Sequence, residues 1–206
     1  ISCAAEQFDL SETTLSHMFR VPHPALAGGT YTSALVAALS QRGLLNAADG
    51  TADQKVEIAE VGGGTGAFAA GMLDAIRTQL PDIHAKLRYT VIDISPALQQ
   101  SQRRALAEHK EIATCVTSDA EQLEFADGSL DLLISNEMIA DLRTARVTAV
   151  DLDPIASMTT PQVTPQEALD AIAQYELPVH DAIGDVFINI GTFDMLEHVQ
   201  RVLKPG

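Results

Sequence analysis

The residues of this chain best placed to do chemistry lie in Val56-Glu57-Ile58-Ala59-Glu60-Val61-Gly62-Gly63-Gly64-Thr65-Gly66, where an apolar, β-branched run meets glycines and then a helical pattern. Gly62, Gly64 and Gly66 remove side chains where the backbone has to bend sharply and where the unpaired N–H groups of a helix start would face a polar ligand. That arrangement suits a nucleotide.

Which nucleotide follows from spacing. A dinucleotide fingerprint has G-x-G-x-x-G and an acid about 20 residues further on. Here the glycines read G-G-G-T-G, and the acid that ends the second apolar run, Asp93, lies 31 positions beyond Gly62. Glu60 adds a carboxylate where a pyrophosphate would be repelled and a cationic amino group attracted. S-adenosylmethionine fits these residues better than a nicotinamide dinucleotide does.

Strands and helices must hold these groups in place. Phe68, Met72, Leu73, Ile76 and Leu80 form one helical stripe over residues 67–80. Tyr89-Thr90-Val91-Ile92-Asp93-Ile94-Ser95-Pro96 contains the second strand, residues 112–117 the third, and residues 130–135 the fourth, set off by the turn Asp127-Gly128-Ser129. Ser95-Pro96 predicts an N-cap with Pro at the first helical position, in a helix that carries Leu98 and Leu106 to about His109 and turns its Gln and Arg residues to solvent. The order β-α-β-α-β-β predicts an α/β fold, a mostly parallel sheet with helices on both faces and ligands at the carboxyl ends of the strands.

These segments resemble the class I S-adenosylmethionine-dependent methyltransferases, whose fold is Rossmann-like and whose first motif is an acid, one residue, then G-x-G-x-G. The resemblance implies that Glu60, Gly62, Gly63, Gly64 and Gly66 hold the methionine end of the cofactor, and that Asp93, with Ile94 beside it, takes the ribose hydroxyls. In Ser118-Asp119-Ala120, Asp119 would accept from the adenine amino group with the Ala120 backbone beside the ring, and the fourth strand would deliver Asn136 and Glu137 to the methyl group. A closer resemblance is to the MidA-like methyltransferases, a group that includes a mitochondrial protein arginine methyltransferase, through residues 89–98 and Ser135-Asn136-Glu137-Met138-Ile139-Ala140-Asp141-Leu142. That family usually has Glu where Asp93 stands, and an Ala-Leu-Pro-Val sequence after its Asn-Glu pair that is absent here. An arginine acceptor therefore does not follow.

The 206 residues, 46% hydrophobic and 20% charged, suffice for one α/β domain with a lid. A net charge of −15 argues against a nucleic-acid partner, whose affinity would need clustered Lys and Arg. Small-molecule, carrier-bound and protein acceptors stay open. Cys3 and Cys115 form no CxxC pair and read as buried structural thiols, and no membrane-length apolar run or signal-peptide pattern is present. A cytoplasmic setting is the expectation. Leu203-Lys204-Pro205-Gly206 reads as the close of the helix before a fifth strand, so that the rest of a longer parent chain is expected to complete the sheet and cover the open edge of the fourth strand.

The expected division is helices over the substrate side in residues 1–54, the cofactor-binding core in 55–142, an inserted lid in 143–184 and a return to the core in 185–206. In the first part, residues 4–21 read as a weak amphipathic helix. Gly28-Gly29-Thr30-Tyr31-Thr32-Ser33 then opens a helix with Leu35, Val36, Leu39, Leu44 and Leu45, which puts Tyr31 near the methyl-accepting site or leaves it as a half-buried tyrosine at a helix cap. In the insert, residues 151–163 are proline-dotted, and Thr164-Pro165-Gln166-Glu167 is a capping box. In the return, Thr192 is expected to cap a helix whose Phe193, Leu196, Val199 and Leu203 share a face.

A sulfonium already activates its methyl group, so the protein need only align a nucleophile and take its proton. Glu137 is the first candidate for that role and Asp141 the second. His180 could form a metal site with Glu137, Asp141 or Asp181, although no spacing requires one. The competing reading is a non-catalytic S-adenosylmethionine-binding or assembly module of the same fold, with a nicotinamide-dependent oxidoreductase third.

Overall fold

The computed structural model describes residues 19–45, 55–148, 166–179 and 185–205. Its centre is a four-stranded parallel sheet of β1 (Val56–Val61), β2 (Leu87–Asp93), β3 (Ala113–Thr117) and β4 (Leu132–Ser135), in the order β3-β2-β1-β4. Parallel pairing sets Glu60 beside Val91 on one side and Ile134 on the other. Four of the six β1 residues are apolar and five are buried, because both faces of the strand are covered. Val56 and Ile58 meet Phe68, Met72, Leu73 and Ile76 of α2 (Ala67–Gln79), with α1 (Tyr31–Gln41) alongside. Ala59 and Val61 meet Met195 and Val202 of α5 (Ile190–Val202) on the opposite face.

The chain steps outward from β1 through β2 to β3, then returns across β1 to β4. The order of the sheet thus reverses at β1, and in open α/β sheets the crevice for a ligand lies at such a reversal, beyond the carboxyl ends of the strands. Glu60, Asp93 and Asn136 stand at or just beyond those ends.

Several expectations are corrected. Ser95 does not cap a helix: α3 (Gln99–Ala105) starts later, Leu98 is its N-cap, and the Ser95 hydroxyl is buried without a partner. α5 is capped by Asn189, whose side chain accepts the Thr192 N–H at 3.1 Å, so Thr192 lies inside the helix. Its buried face is Ile190, Gly191, Met195 and Val202, and Leu196 is exposed. α1 stops at Gln41, which leaves Leu44 exposed while Leu45 is buried. Cys115 is half-buried rather than buried, and loss of water pushes its thiol pKa up. The edge of β4 is engaged at its start, where Leu130 accepts the Lys204 N–H at 2.9 Å and donates to the Val202 carbonyl at 2.9 Å. Asp131 reinforces this join by accepting the Glu57 N–H at 2.8 Å and pairing with Lys204 at 2.7 Å.

β6 (Val186–Ile188), expected to return the chain to the core, pairs antiparallel with β5 (Ala145–Val147) in a separate two-stranded sheet. Those strands and α4 (Gln166–Gln174) share their own apolar cluster around Val147, Ala168 and Ile188. Arg143 ties this unit to the sheet, pairing with the buried Glu121, with Glu167 of α4 at 3.0 Å and with Asp194 of α5. Gly191 fits against Glu121 because it has no side chain, and its N–H donates to the Arg143 carbonyl at 3.0 Å. Residues 4–18, 151–163, His180 and Asp181 lie outside the described residues, as do Cys3, Thr164 and Pro165.

Candidate functional site

The glycine loop is built from the sheet outward. The Gly62 and Gly63 N–H groups both donate to the Ile92 carbonyl, at 2.9 and 3.0 Å, which prolongs the β1–β2 pairing past the end of the strand. Three of the four glycines are then required by packing. A Cβ on Gly62 would fall 2.4 Å from Met138 Cγ, on Gly63 2.1 Å from Val91 Cγ1, and on Gly66 2.8 Å from Gln102 Cα. Gly64 differs: its Cβ position meets nothing within 4 Å. The loop thus opens outward at Gly64, at the start of α2, a helix that no side chain caps. Its leading N–H groups suit an anionic group such as a carboxylate.

Asp93 closes the next strand and organises the turn around it. Its Oδ2 accepts the Gly64 N–H at 2.8 Å and its Oδ1 accepts the Ser95 N–H at 2.9 Å. Burial pushes the Asp93 pKa up, and the two backbone donors pull it down. Each carboxylate oxygen keeps a lone pair for a ligand hydroxyl. Ile94, 65% exposed, offers an apolar surface next to it. Asp119 Oδ1 accepts the Glu121 N–H at 2.9 Å, which turns the chain after β3 and buries Ala120.

Glu60 is buried, with 2% exposure, and accepts the hydroxyl of the buried Tyr89 at 2.8 Å. Desolvation raises its pKa to about 8, against the lowering effect of the Tyr89 hydrogen bond, and the nearby Asp93 charge raises it further. The same burial drives the Tyr89 pKa up. Asn136 follows β4 and accepts the Tyr31 hydroxyl at 3.1 Å. Glu137 is exposed and turns the chain with φ +55°, a left-handed conformation that a non-glycine residue adopts at a cost of about 1 kcal/mol or more. That reversal directs Met138 back against Gly62. Asp141 is exposed in the short turn Ile139–Asp141.

The sheet therefore gathers Glu60, Gly62, Gly63, Gly64, Gly66, Asp93, Ile94 and Asn136 at one end, with Asp119, Ala120 and Glu137 on the adjoining turns. Tyr89 and Gln102 join the site from outside this set. Tyr89 carries no sequence sign of its pairing with Glu60. Gln102, read as solvated, is 1% exposed and donates to the Gly64 carbonyl at 3.0 Å. Its signal was present, since Leu98, Gln102 and Leu106 recur every four residues along one helical face.

S-adenosylmethionine fits this donor set: an uncapped helix start for its carboxylate, an open step at Gly64, a carboxylate for ribose hydroxyls and an exposed Ile94 for a ring. Two shallow clefts of about 280 Å³ lie elsewhere, one beside Ile139, Phe187 and Phe193, the other between α1 and α2. Among the described residues, no group of three or more His, Cys, Asp or Glu could hold a metal ion, and no helix is long and apolar enough to cross a membrane.

A family model described as "Putative S-adenosyl-L-methionine-dependent methyltransferase" matches residues 42–151, more than half of the chain. No curated protein matches. Solved structures similar to this chain include the DszA carbon methyltransferase, at 24% identity over 54% of this chain and 28% of that one, with a TM-score of 0.40. A Methanococcus maripaludis protein described as a "putative s-adenosyl-l-methionine-dependent methyltransferase" is 13% identical over 98% of this chain and 58% of its own, with a TM-score of 0.49. A Burkholderia thailandensis protein bound to S-adenosyl-homocysteine is 21% identical over 57% of this chain and 26% of its own, with a TM-score of 0.38. The chain spans between 26% and 58% of the length of these structures.

Proposed function

The chain belongs to this methyltransferase family, and from that premise we propose that it binds S-adenosylmethionine across the carboxyl ends of β1, β2 and β3 and transfers the methyl group at the end of β4. The observation that carries the reading is the reversal of strand order at β1, which brings the glycine loop, Asp93 and Asn136 to one crevice. When bound, the cofactor supplies a methyl group already activated by its sulfonium. Glu60 and the start of α2 would hold its methionine end, Asp93 its ribose hydroxyls, and Asp119 and Ala120 its adenine. Glu137 would orient the acceptor and take its proton, with Asp141 a more distant alternative. The acceptor is a protein side chain, or a carbon or oxygen centre on a metabolite or carrier. The unit of α4, β5 and β6 would act as a lid that excludes water during transfer.

Calorimetric titration with S-adenosylmethionine and S-adenosylhomocysteine tests this directly, with saturable binding of both expected. Asp93→Ala should weaken that binding by roughly 2 kcal/mol, the scale of hydrogen bonds to a charged group. Asp93→Asn, which keeps an acceptor for one of the two backbone donors, should lose less; equal affinity in all three proteins would remove Asp93 from the ribose site. Glu137→Gln should bind the cofactor as wild type does and lower the transfer rate about 100-fold, within the range of general-base losses. Undiminished transfer in that variant would take Glu137 out of the mechanism.

A further inference from the structure

Of the two clefts, the one beside Ile139 lies at the ligand end of the sheet. The end of α5 is fixed at the start of β4, where Leu130 donates to the Val202 carbonyl at 2.9 Å. Leu130 to Ser135 covers about 17 Å of extended chain and the 13 residues of α5 about 20 Å of helix, so α5, running back along β4, starts level with that strand's carboxyl end. Asn189, its N-cap, meets there the turn that leaves β4 and donates from Nδ2 to the Ile139 carbonyl at 2.7 Å. Ile139 follows Met138, the residue that stands against Gly62. Two adjacent residues thus join the cleft to the glycine loop.

Five apolar side chains line the cleft: Ile139, Leu177, Phe187, Ile188 and Phe193. Phe187 is 68% exposed and Ile139 46%, and Phe193 is backed by Tyr175, the two rings stacked 4.3 Å apart and 13° from parallel. Exposed apolar surface gathered around a cleft marks a binding site. At about 280 Å³ the space is close to the lower end of small-molecule sites, about 300 Å³. The other lining residues are Asn189 and Thr192, so none of these side chains is ionisable in a chain that carries 28 acidic residues. The Thr192 hydroxyl is buried without a partner. Buried polar groups are ordinarily paired, which leaves this one for an oxygen that a ligand brings.

A guanidinium or ammonium group would meet no carboxylate among these residues and would gain only a weak contact with a phenylalanine face. An uncharged apolar group instead takes the exposed rings out of water, and a carbonyl on it accepts from Thr192. We propose that this cleft binds the apolar body of the methyl acceptor, an uncharged acyl group whose carbonyl oxygen accepts a hydrogen bond from the Thr192 hydroxyl. That the bound molecule is the methyl acceptor rests on the methyltransferase reading; that it is an uncharged acyl group rests on the cleft alone.

Calorimetry with the hexanoyl thioester of N-acetylcysteamine and with 2-octanone, each with and without saturating S-adenosylhomocysteine, tests the site. Saturable binding is expected, and preference for the thioester or for the ketone distinguishes a carrier-bound acyl group from a free one. Spermidine and an arginine-rich peptide, titrated at high salt to screen the net charge of −15, should not bind there. Phe187→Ser removes a ring already mostly in water, so it should keep the denaturation midpoint and weaken acyl binding about tenfold. Thr192→Val removes the unpaired hydroxyl. It should weaken the hexanoyl thioester about fivefold and leave S-hexyl-N-acetylcysteamine, which lacks the thioester carbonyl, unchanged. In the ternary complex, an interligand nuclear Overhauser effect is expected between the methylene beside the acyl carbonyl and the methylenes beside the sulfur of S-adenosylhomocysteine. No acyl binding, wild-type acyl affinity in Phe187→Ser, or amine binding that Phe187→Ser abolishes would each overturn the proposal. Wild-type thioester affinity in Thr192→Val would overturn the carbonyl contact, and acyl binding without the Overhauser effect would overturn the acceptor assignment. Failure to bind S-adenosylhomocysteine while the acyl probes still bind would instead overturn the methyltransferase reading beneath it.

Discussion

Gly66→Ala is expected to cost the fold about 3 kcal/mol and to abolish cofactor binding, whereas Gly128→Ala should cost about 1 kcal/mol and leave binding intact. Both glycines have positive φ, +84° and +59°, so both substitutions carry the left-handed penalty of an L side chain. Only at Gly66 is there also a collision, since a Cβ there would stand 2.8 Å from Gln102 Cα and 3.3 Å from Ala105 Cβ. Gln102 cannot yield freely because its side chain holds the Gly64 carbonyl at 3.0 Å. The clash therefore displaces α3 and the glycine loop together. Urea denaturation of the two variants, with calorimetry of S-adenosylhomocysteine on each, separates the contributions. An equal loss in both would mean that φ alone, and not the α3 contact, sets the requirement at Gly66.

The second large effect concerns Glu60. Its pKa is about 8 in the folded protein against an ordinary 4.5, so below pH 4.5 folded and unfolded chains both carry the proton and the residue costs nothing. As pH rises toward 8 the unfolded chain releases that proton while the folded chain keeps it, and stability falls until the folded carboxyl also ionises. Glu60→Gln has no proton to lose and still offers an oxygen to Tyr89. It should be more stable than wild type by about 4 kcal/mol at pH 8 and indistinguishable from it at pH 4. Denaturant midpoints across this range check it, and parallel pH profiles for the two proteins would refute it. If Glu60 receives the cofactor's ammonium group, binding must also ionise it. Proton release on S-adenosylmethionine binding should then appear between pH 6 and 8 in calorimetry with buffers of different ionisation enthalpy, and vanish in Glu60→Gln.

Much of the sheet could be read from pattern alone. β1 is a mainly apolar, β-branched segment that runs into glycines, and the stripe of Phe68, Met72, Leu73 and Ile76 matches the buried face of α2. What escaped was set by register and by competition. Glu60 and Tyr89 lie on different strands, and only the pairing of Ile58 with Tyr89 and Glu60 with Val91 brings them together. The sequence presents Gly62, Gly64 and Gly66 as room for a ligand, yet Met138 and Gln102 stand against Gly62 and Gly66, and neither is near the loop in sequence. β6 is three residues long, too short for its periodicity to reveal which partner it would choose. Ser95-Pro96 has the chemistry of a helix start, but the helix begins only at Gln99, out of reach of the Ser95 hydroxyl, which is buried without a partner.

The pairing of β5 with β6 bears on how far a change in the segment between them can reach. Ala145 stands opposite Ile188 and Val147 opposite Val186, so the two ends of the intervening segment are brought together by backbone hydrogen bonds. The entropy of closing that loop is met by this small sheet rather than by the parallel one, and it grows only slowly with loop length. The ends of the segment are thus fixed by their own backbone pairing, while α4 within it and the Tyr175 that follows are tied to the rest of the fold through Glu167 on Arg143 and Tyr175 on Phe193, so a change there reaches α5 before it reaches the glycine loop.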